Sequence, residues 1–298
     1  MIENQVVTSL SDSLSRARCD GANIPEGWKN MHVSDVASIN EMAISKKYAH
    51  KNIDYLDVAS VDRGRIINRQ QLKLNEAPSR ARRIVRDKDI LISTVRPNLK
   101  HFAFIDHAHP NTIASTGFAV ITAKSIDARF LYYYLATDKY TNYLSAIADA
   151  HTSTYPSFNP DVIEKSSVSC PPPEDQRAIA KILSDLDEKI ELNHRMNKTL
   201  ESIAQSIFKR WFVDFEFPNE KGKPYKLSGG KMVKSELGEI PQGWDVKELS
   251  DCGRIVCGKT PPTADKANYG EDIFFVTIPD MRGQTFVIRT ERKLSKER

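Results

Sequence analysis

Ile24-Pro25-Glu26-Gly27-Trp28 returns 216 residues later as Ile240-Pro241-Gln242-Gly243-Trp244, and this repeat constrains the fold more than any other feature of the chain. In the same register Ser34-Asp35 returns as Ser250-Asp251 and Ile39 as Ile255. A second block, Tyr55 to Gly64 (YLDVASVDRG), resembles Phe274 to Gly283 (FFVTIPDMRG) at an offset of 219, so that Arg63-Gly64 matches Arg282-Gly283. So long a period marks duplication of a domain, because solenoid repeats run about 20 to 50 residues. The first copy is expected to span residues 24–170. The second, residues 240–298, is read as incomplete.

Between the copies the pattern changes to a helix. Pro171-Pro172-Pro173-Glu174 places proline and acid where a helix begins, since an N–H is dispensable there and the dipole favours negative charge. Ile179, Leu183, Leu186, Ile190, Asn193, Asn197, Leu200, Ala204, Ile207 and Trp211 then follow in steps of four and three, which is a coiled-coil seam. Asn193 and Asn197 sit mid-seam, where a buried amide must find a partner and so penalises wrong registers. The alternative is a pair of weakly buried amides at a frayed point. Pro218 ends the helix, so residues 171–217 form a spacer, about 60 Å long over the stretch Glu174 to Asp214. Residues 218–239, polar and rich in lysine and glycine, read as a linker, and residues 1–23 as an N-terminal segment.

Within the first copy, Ile53 to Val61, Ile90 to Thr94 and Ile113 to Ile121 are short β-branched runs, and Asp127 to Ala148 has apolar residues at helical spacing. The fold class expected is α+β, a mixed sheet with helices at one side. Tyr132, Tyr133 and Tyr134 have the geometry to stack on bases, but on an amphipathic helix they are expected in the core.

No apolar run approaches the roughly 18 residues of a membrane span, and Met1 to Asp20 lacks the apolar core of a signal peptide, so a cytoplasmic location and no membrane partner are expected. Cys19, Cys170, Cys252 and Cys257 show no metal-ligand spacing and are expected as free thiols, with no metal bound. Net charge is only +4, but Arg63 to His101 holds eleven lysines and arginines against three acids. Such a basic segment in a near-neutral chain suits phosphate contacts, although a solvated charged loop would have the same composition.

Duplicate domains joined by PPPEDQRAIAKILSDLDEKIELNHRMNKTLESIAQSIFKRWFVDFE resemble the specificity subunits of type I restriction-modification systems. Asp89 to Pro97, Ser115 to Val120 and Thr152 to Asn159 fit the first target recognition domain of that family. The resemblance implies that each domain reads half of a bipartite DNA site and that the helices are spacers. It implies docking of methyltransferase (M) subunits and a restriction/translocase (R) subunit, which use S-adenosylmethionine, ATP and magnesium. This chain is then a non-catalytic DNA-binding subunit with no cofactor of its own. It departs from the family by stopping within the second recognition domain, before a second spacer helix, so a homodimer through its own spacer is expected.

Candidate phosphate contacts are Arg80, Arg82, Arg83 and Arg86. Arg96, Asn98 and Lys100 are placed nearer the bases, joined by Thr152, Ser153 and Tyr155, because Arg bridges guanine O6 and N7 and Asn bridges adenine N6 and N7. Any one of these is also explicable as a surface charge or ion-pair partner.

Two motifs point to an alternative, a self-contained nuclease or nucleotide hydrolase. Gly253 to Thr260 matches GxxxxGK[ST], but Pro261-Pro262 follows where a helix must start. Pro279-Asp280 with Glu291-Arg292-Lys293 mimics a PD…ExK nuclease, though the first copy has Ser60-Val61 at the matching place. Asn159-Pro160-Asp161 is not the Asn-Pro-Pro-aromatic signature of adenine methyltransferases. A third reading is a scaffold whose seam recruits partners while its domains no longer bind DNA.

Overall fold

A computed structural model describes residues 25–45, 47–151, 155–282 and 286–296. The chain divides into two compact units, residues 1–200 and 201–298.

Unit 1 is built on two four-stranded sheets. In the first, β3 (Asn52–Leu56) lies between β6 (Gln70–Lys73) and β10 (Thr112–Ser115), with β7 (Ala81–Ile84) beyond β10. Only β3 and β10 are parallel, so this sheet is mixed. The second sheet runs β2 (Ala37–Ile39), β11 (Phe118–Ala123), β8 (Ile90–Ser93) and β9 (Phe102–Phe104), all antiparallel. Strand β8 shows why the segment reads as one apolar run. Its Ile90 and Ile92 face the helices while Leu91 faces the first sheet's Leu56 and Ala114, so both faces are buried.

The expected strand Ile113 to Ile121 is two strands, one in each sheet, turned at Thr116-Gly117. A Cβ on Gly117 would sit 2.9 Å from a Val58 methyl, so the turn needs glycine. The expected helix over 127–148 is also two, α2 (Ala128–Leu135) and α3 (Asp138–His151). Asp127 caps the first by accepting from Phe130 N at 2.9 Å, and Thr137 interrupts by accepting from Tyr140 N at 3.3 Å. Tyr132 is buried in the helical core and Tyr133 and Tyr134 pack against it, so all three serve packing.

Strands β1 (Lys29–His32) and β12 (Ser167–Cys170) pair antiparallel and bring the ends of the domain together. Between β1 and β2 lies the one-turn α1 (Val33–Val36), and α4 (Asp161–Lys165) precedes β12. The long helix α5 (Pro173–Phe208) then begins against this domain rather than standing free of it. Gln176, Ala180 and Ser184 are buried, and Gln176 accepts from Asp127 N at 2.9 Å while donating to Pro171 O at 2.8 Å. The compact unit therefore runs to Leu200, well inside the expected spacer.

In unit 2 the helix passes into a π-helical turn, Lys209–Val213. Trp244 packs near Phe212, Phe215 and Phe217, and Phe217 stacks on Tyr225 at 4.7 Å between centroids. The segment read as a linker carries a hairpin, β13 (Met232–Ser235) with β14 (Gly238–Pro241). The repeat is visible in the backbone: Trp28 N donates to Pro25 O and Trp244 N to Pro241 O, each at 3.1 Å. Likewise His32 N donates to Asp35 Oδ2 at 3.0 Å ahead of α1, and Glu248 N to Asp251 Oδ2 at 3.2 Å ahead of α6 (Leu249–Cys252). Strands β15 (Tyr269–Phe275) and β16 (Arg292–Leu294) then pair antiparallel, as β3 and β6 do. Among the described residues no helix is long and apolar enough to cross a membrane, and no three metal-ligating side chains cluster.

Candidate nucleic-acid interface

The strand registers bring several loops to one end of unit 1. Strand β3 ends there at Leu56, β10 at Ser115 and β8 at Ser93, while β7 and β11 begin there. The loop leaving β8 is fixed by its neighbours: Arg96 N donates to Pro156 O at 2.8 Å, Phe158 N to Thr94 O at 3.0 Å, and Val95 bridges Ser157. Its tip, Pro97–Leu99, is a single 3-10 turn between Arg96 (φ 48°) and Lys100 (φ 60°), both left-handed. Arg96 lies over the exposed Tyr155 ring, 5.0 Å from its centroid, and Asn98 is exposed beside it.

A second turn rides on this loop. Arg63 N donates to Lys100 O at 3.0 Å and Gly64 N to Phe102 O at 2.8 Å. Among the described residues six non-glycine positions have positive φ, and three of them, Arg63, Arg96 and Lys100, meet here. Such a conformation costs of order 1–3 kcal/mol and persists where the surroundings hold it, which is typical of binding sites. Arg63 was not among the contacts expected from the sequence; its return as Arg282 was the signal available.

The basic run does not form one patch. Arg80 is at the loop end, its carbonyl accepting from Thr116 N at 2.8 Å and its guanidinium 3.0 Å from Asp57. Arg86 is at the far end of β7, about 20 Å along an extended chain. There it donates to Glu41 at 2.6 Å and Thr122 at 3.2 Å. That hydrogen bond holds the Glu41 carboxyl below its ordinary range, whereas burial pushes the neighbouring Asp89 up. Arg86 is thus engaged in a local network away from Arg96. Arg82 donates to Ser79 O at 2.9 Å, and Arg83 is half-buried within β7. Lys100 is paired with Asp138 at 2.5 Å, which depresses the aspartate's pKa through that hydrogen bond. Thr152 and Ser153 lie outside the described residues.

On α5 two faces diverge by about 120° at 100° per residue. One carries Gln176, Ala180 and Ser184 against the domain. The other exposes Leu186, Ile190, Leu200 and Ile207, with Asn193 and Asn197 between them, and the exposed Trp211 follows in the π-helical turn. Ile179 and Leu183, the first positions of the expected seam, are half-buried, and Ile179 packs on the helical core of unit 1. Off the strict seam, Ile182, Met196 and Ile203 widen the exposed apolar face.

The two enzyme-like motifs lack their required settings. Gly253 to Pro262 is irregular, so no helix receives Lys259-Thr260. Asp280 accepts from Thr277 N at 2.8 Å, Thr277 Oγ1 at 2.5 Å and Glu291 N at 3.0 Å, bonds that hold its carboxyl below the ordinary range and tie it to its own turn.

The family model for the type I restriction modification DNA specificity domain matches residues 25–202. The HindI specificity subunit of Haemophilus influenzae is 30% identical over 90% of this chain and 69% of its own. The MjaIX specificity subunit of Methanocaldococcus jannaschii is 33% identical over 53% of this chain and 35% of its own. A chain from a structure describing complex assembly and conformational transition of the type I R-M system is 25% identical, with a TM-score of 0.51, over 85% of this chain and 61% of that one. The HsdS subunit of Thermoanaerobacter tengcongensis shares the fold at 24% identity and a TM-score of 0.51, covering 88% of this chain and 64% of its own. The present chain thus spans less than two thirds of either solved chain.

Proposed function

We propose a DNA-reading role for this chain, which belongs to the family of type I restriction-modification DNA specificity domains. It is the non-catalytic recognition component. Unit 1 reads one half of a bipartite site, and methylation and cleavage fall to M and R subunits that bring S-adenosylmethionine, ATP and magnesium. The observation that carries this reading is the meeting of Arg63, Arg80, Arg96, Asn98 and Tyr155 at one end of the two sheets, on turns held by backbone bonds. Arg96 and Asn98 have the donors for bidentate contacts to guanine and adenine edges, and Arg80 suits a phosphate.

The exposed face of α5 takes a second helix of the same pattern. A second copy packed antiparallel supplies one, with two-fold symmetry and a recognition domain at either end, and such a dimer reads a palindromic bipartite site. Mapping methylated adenines in cells that express this chain with its methyltransferase names the site. Duplexes differing at one base pair of that site then test the reader. Arg96→Ala or Asn98→Ala relaxes discrimination at one base pair by about 1–3 kcal/mol. Equal affinity of the unaltered assembly for all duplexes would count against the reading.

A further inference from the structure

The hairpin of β4 (Val61–Asp62) and β5 (Arg65–Ile66) turns through only Arg63 and Gly64. Both central residues have positive φ, 43° and 87°, as a two-residue turn of this hand requires. Asn-Gly is the favoured pair for such a turn, because a longer L side chain pays for the left-handed backbone. An arginine occupies the expensive position here. Gly64 is fixed in its own right, since a Cβ would come within 2.6 Å of the Tyr132 hydroxyl. The turn is therefore seated on α2 below and hydrogen-bonded to Lys100 and Phe102 at its side.

The guanidinium at its tip is exposed, and among the described residues it has none of the ion pairs that engage Arg65 with Glu191, Arg80 with Asp57 and Lys100 with Asp138. The Arg-Gly pair also returns in the second copy as Arg282-Gly283. An exposed arginine held at the tip of a braced turn, at a position both copies share, suits a ligand that is the same at every sequence. On DNA that ligand is the phosphodiester backbone.

We propose that Arg63 is a phosphate-binding residue, gripping the backbone of the duplex whose bases the Arg96 to Lys100 loop reads. This assignment rests on the DNA-reading role above. Arg63→Asn is the informative variant, because asparagine suits the turn better than arginine and removes the charge without loosening the fold.

The full chain with its methyltransferase is titrated against the mapped duplex and an unrelated one over a salt series. For Arg63→Asn, both affinities fall by a similar factor, and the slope of log affinity against log salt becomes shallower by about 0.9, the value of one lost phosphate contact. Arg63→Lys keeps the slope, and the thermal midpoint of Arg63→Asn equals or exceeds that of the unaltered chain. An unchanged salt slope, or a loss confined to the mapped duplex, overturns the assignment while leaving the DNA-reading role standing. Failure of the unaltered assembly to bind either duplex overturns both.

Discussion

The Tyr133 hydroxyl donates to Asp187 Oδ2 at 2.8 Å, tying α2 to the long helix. Gln176 below it and the Arg65–Glu191 pair above it, at 3.2 Å, engage the same face of α5. A recognition domain fastened at three heights keeps one attitude to its helix. We expect Tyr133→Phe and Asp187→Ala each to cost about 0.5–1 kcal/mol, the range of a partly exposed hydrogen bond. Urea unfolding of the two single variants and the double variant checks this: the double change should cost less than the summed singles, and simple additivity would deny the contact. On duplexes with two half-sites, the loosened domain should also accept gaps one base pair shorter or longer than the preferred one.

The same two tyrosines give the domain an alkaline limit. Burial pushes the phenols of Tyr132 and Tyr133 above their ordinary value, and Asp187 adds to the shift at both. The folded state therefore holds these protons more tightly than the unfolded state, whose tyrosines titrate near 10. Their contribution to stability is complete below about pH 10 and is lost as pH rises beyond it. Urea midpoints should fall across that range, and the Tyr132→Phe, Tyr133→Phe double variant should show a shallower fall. Phenolate absorbance of the folded chain should lag behind that of the unfolded chain.

Much of unit 1 was legible because its signals are local. The β-branched runs, the helical spacing after Asp127 and the repeated Pro-x-Gly-Trp each depend on neighbours in sequence; Ile90 to Thr94 forms one strand, whereas Ile53 to Val61 and Ile113 to Ile121 are each broken into two strands. The site was legible only in part. Arg80 and Arg86 are close in sequence yet lie at opposite ends of β7, while Arg63 and Lys100 are distant in sequence yet joined backbone to backbone. Which end of a strand a charge occupies follows from register, and register is fixed by pairing partners that charge spacing does not reveal. The seam shows the same limit. Its period was readable, but the docking of Gln176 and Ala180 on the domain, which draws in Ile179, depends on tertiary contacts.

The division of the basic run makes a direct prediction. Arg80→Ala should weaken binding of every duplex and flatten the salt dependence, because its guanidinium stands at the loop end proposed to meet DNA. Arg86→Ala should leave the salt slope unchanged, because its guanidinium is engaged by Glu41 and Thr122 at the other end. Parallel salt series on the two variants decide the matter. Equal flattening by both would put the far end of β7 on DNA as well.

The last prediction concerns the exposed face of α5. Leu186, Ile190, Leu200, Ile207 and Trp211 are each more than a third exposed in the single chain, and burying each is worth roughly 1.5–3 kcal/mol. The seam is also its own complement when reversed. Pairing Asn193 with Asn197 of a second, antiparallel copy places Ile190 opposite Leu200, Leu186 opposite Ala204 and Leu183 opposite Ile207. Apolar positions then meet apolar ones throughout, and the amides at the centre have both donors and acceptors to satisfy one another. A register shifted by one heptad would set those amides against Ile190 and Leu186 or against Ala204 and Leu200, which is how they select a single alignment. Light scattering on the purified chain should therefore give the mass of a dimer. Leu186→Lys with Ile190→Lys should halve it, by placing charges in the apolar seam. Replacing both asparagines with leucine should keep the dimer and raise its resistance to urea while broadening the set of alignments that cross-linking detects. A soluble monomer at micromolar concentration, or a mass unaffected by the two lysines, would rule the pairing out.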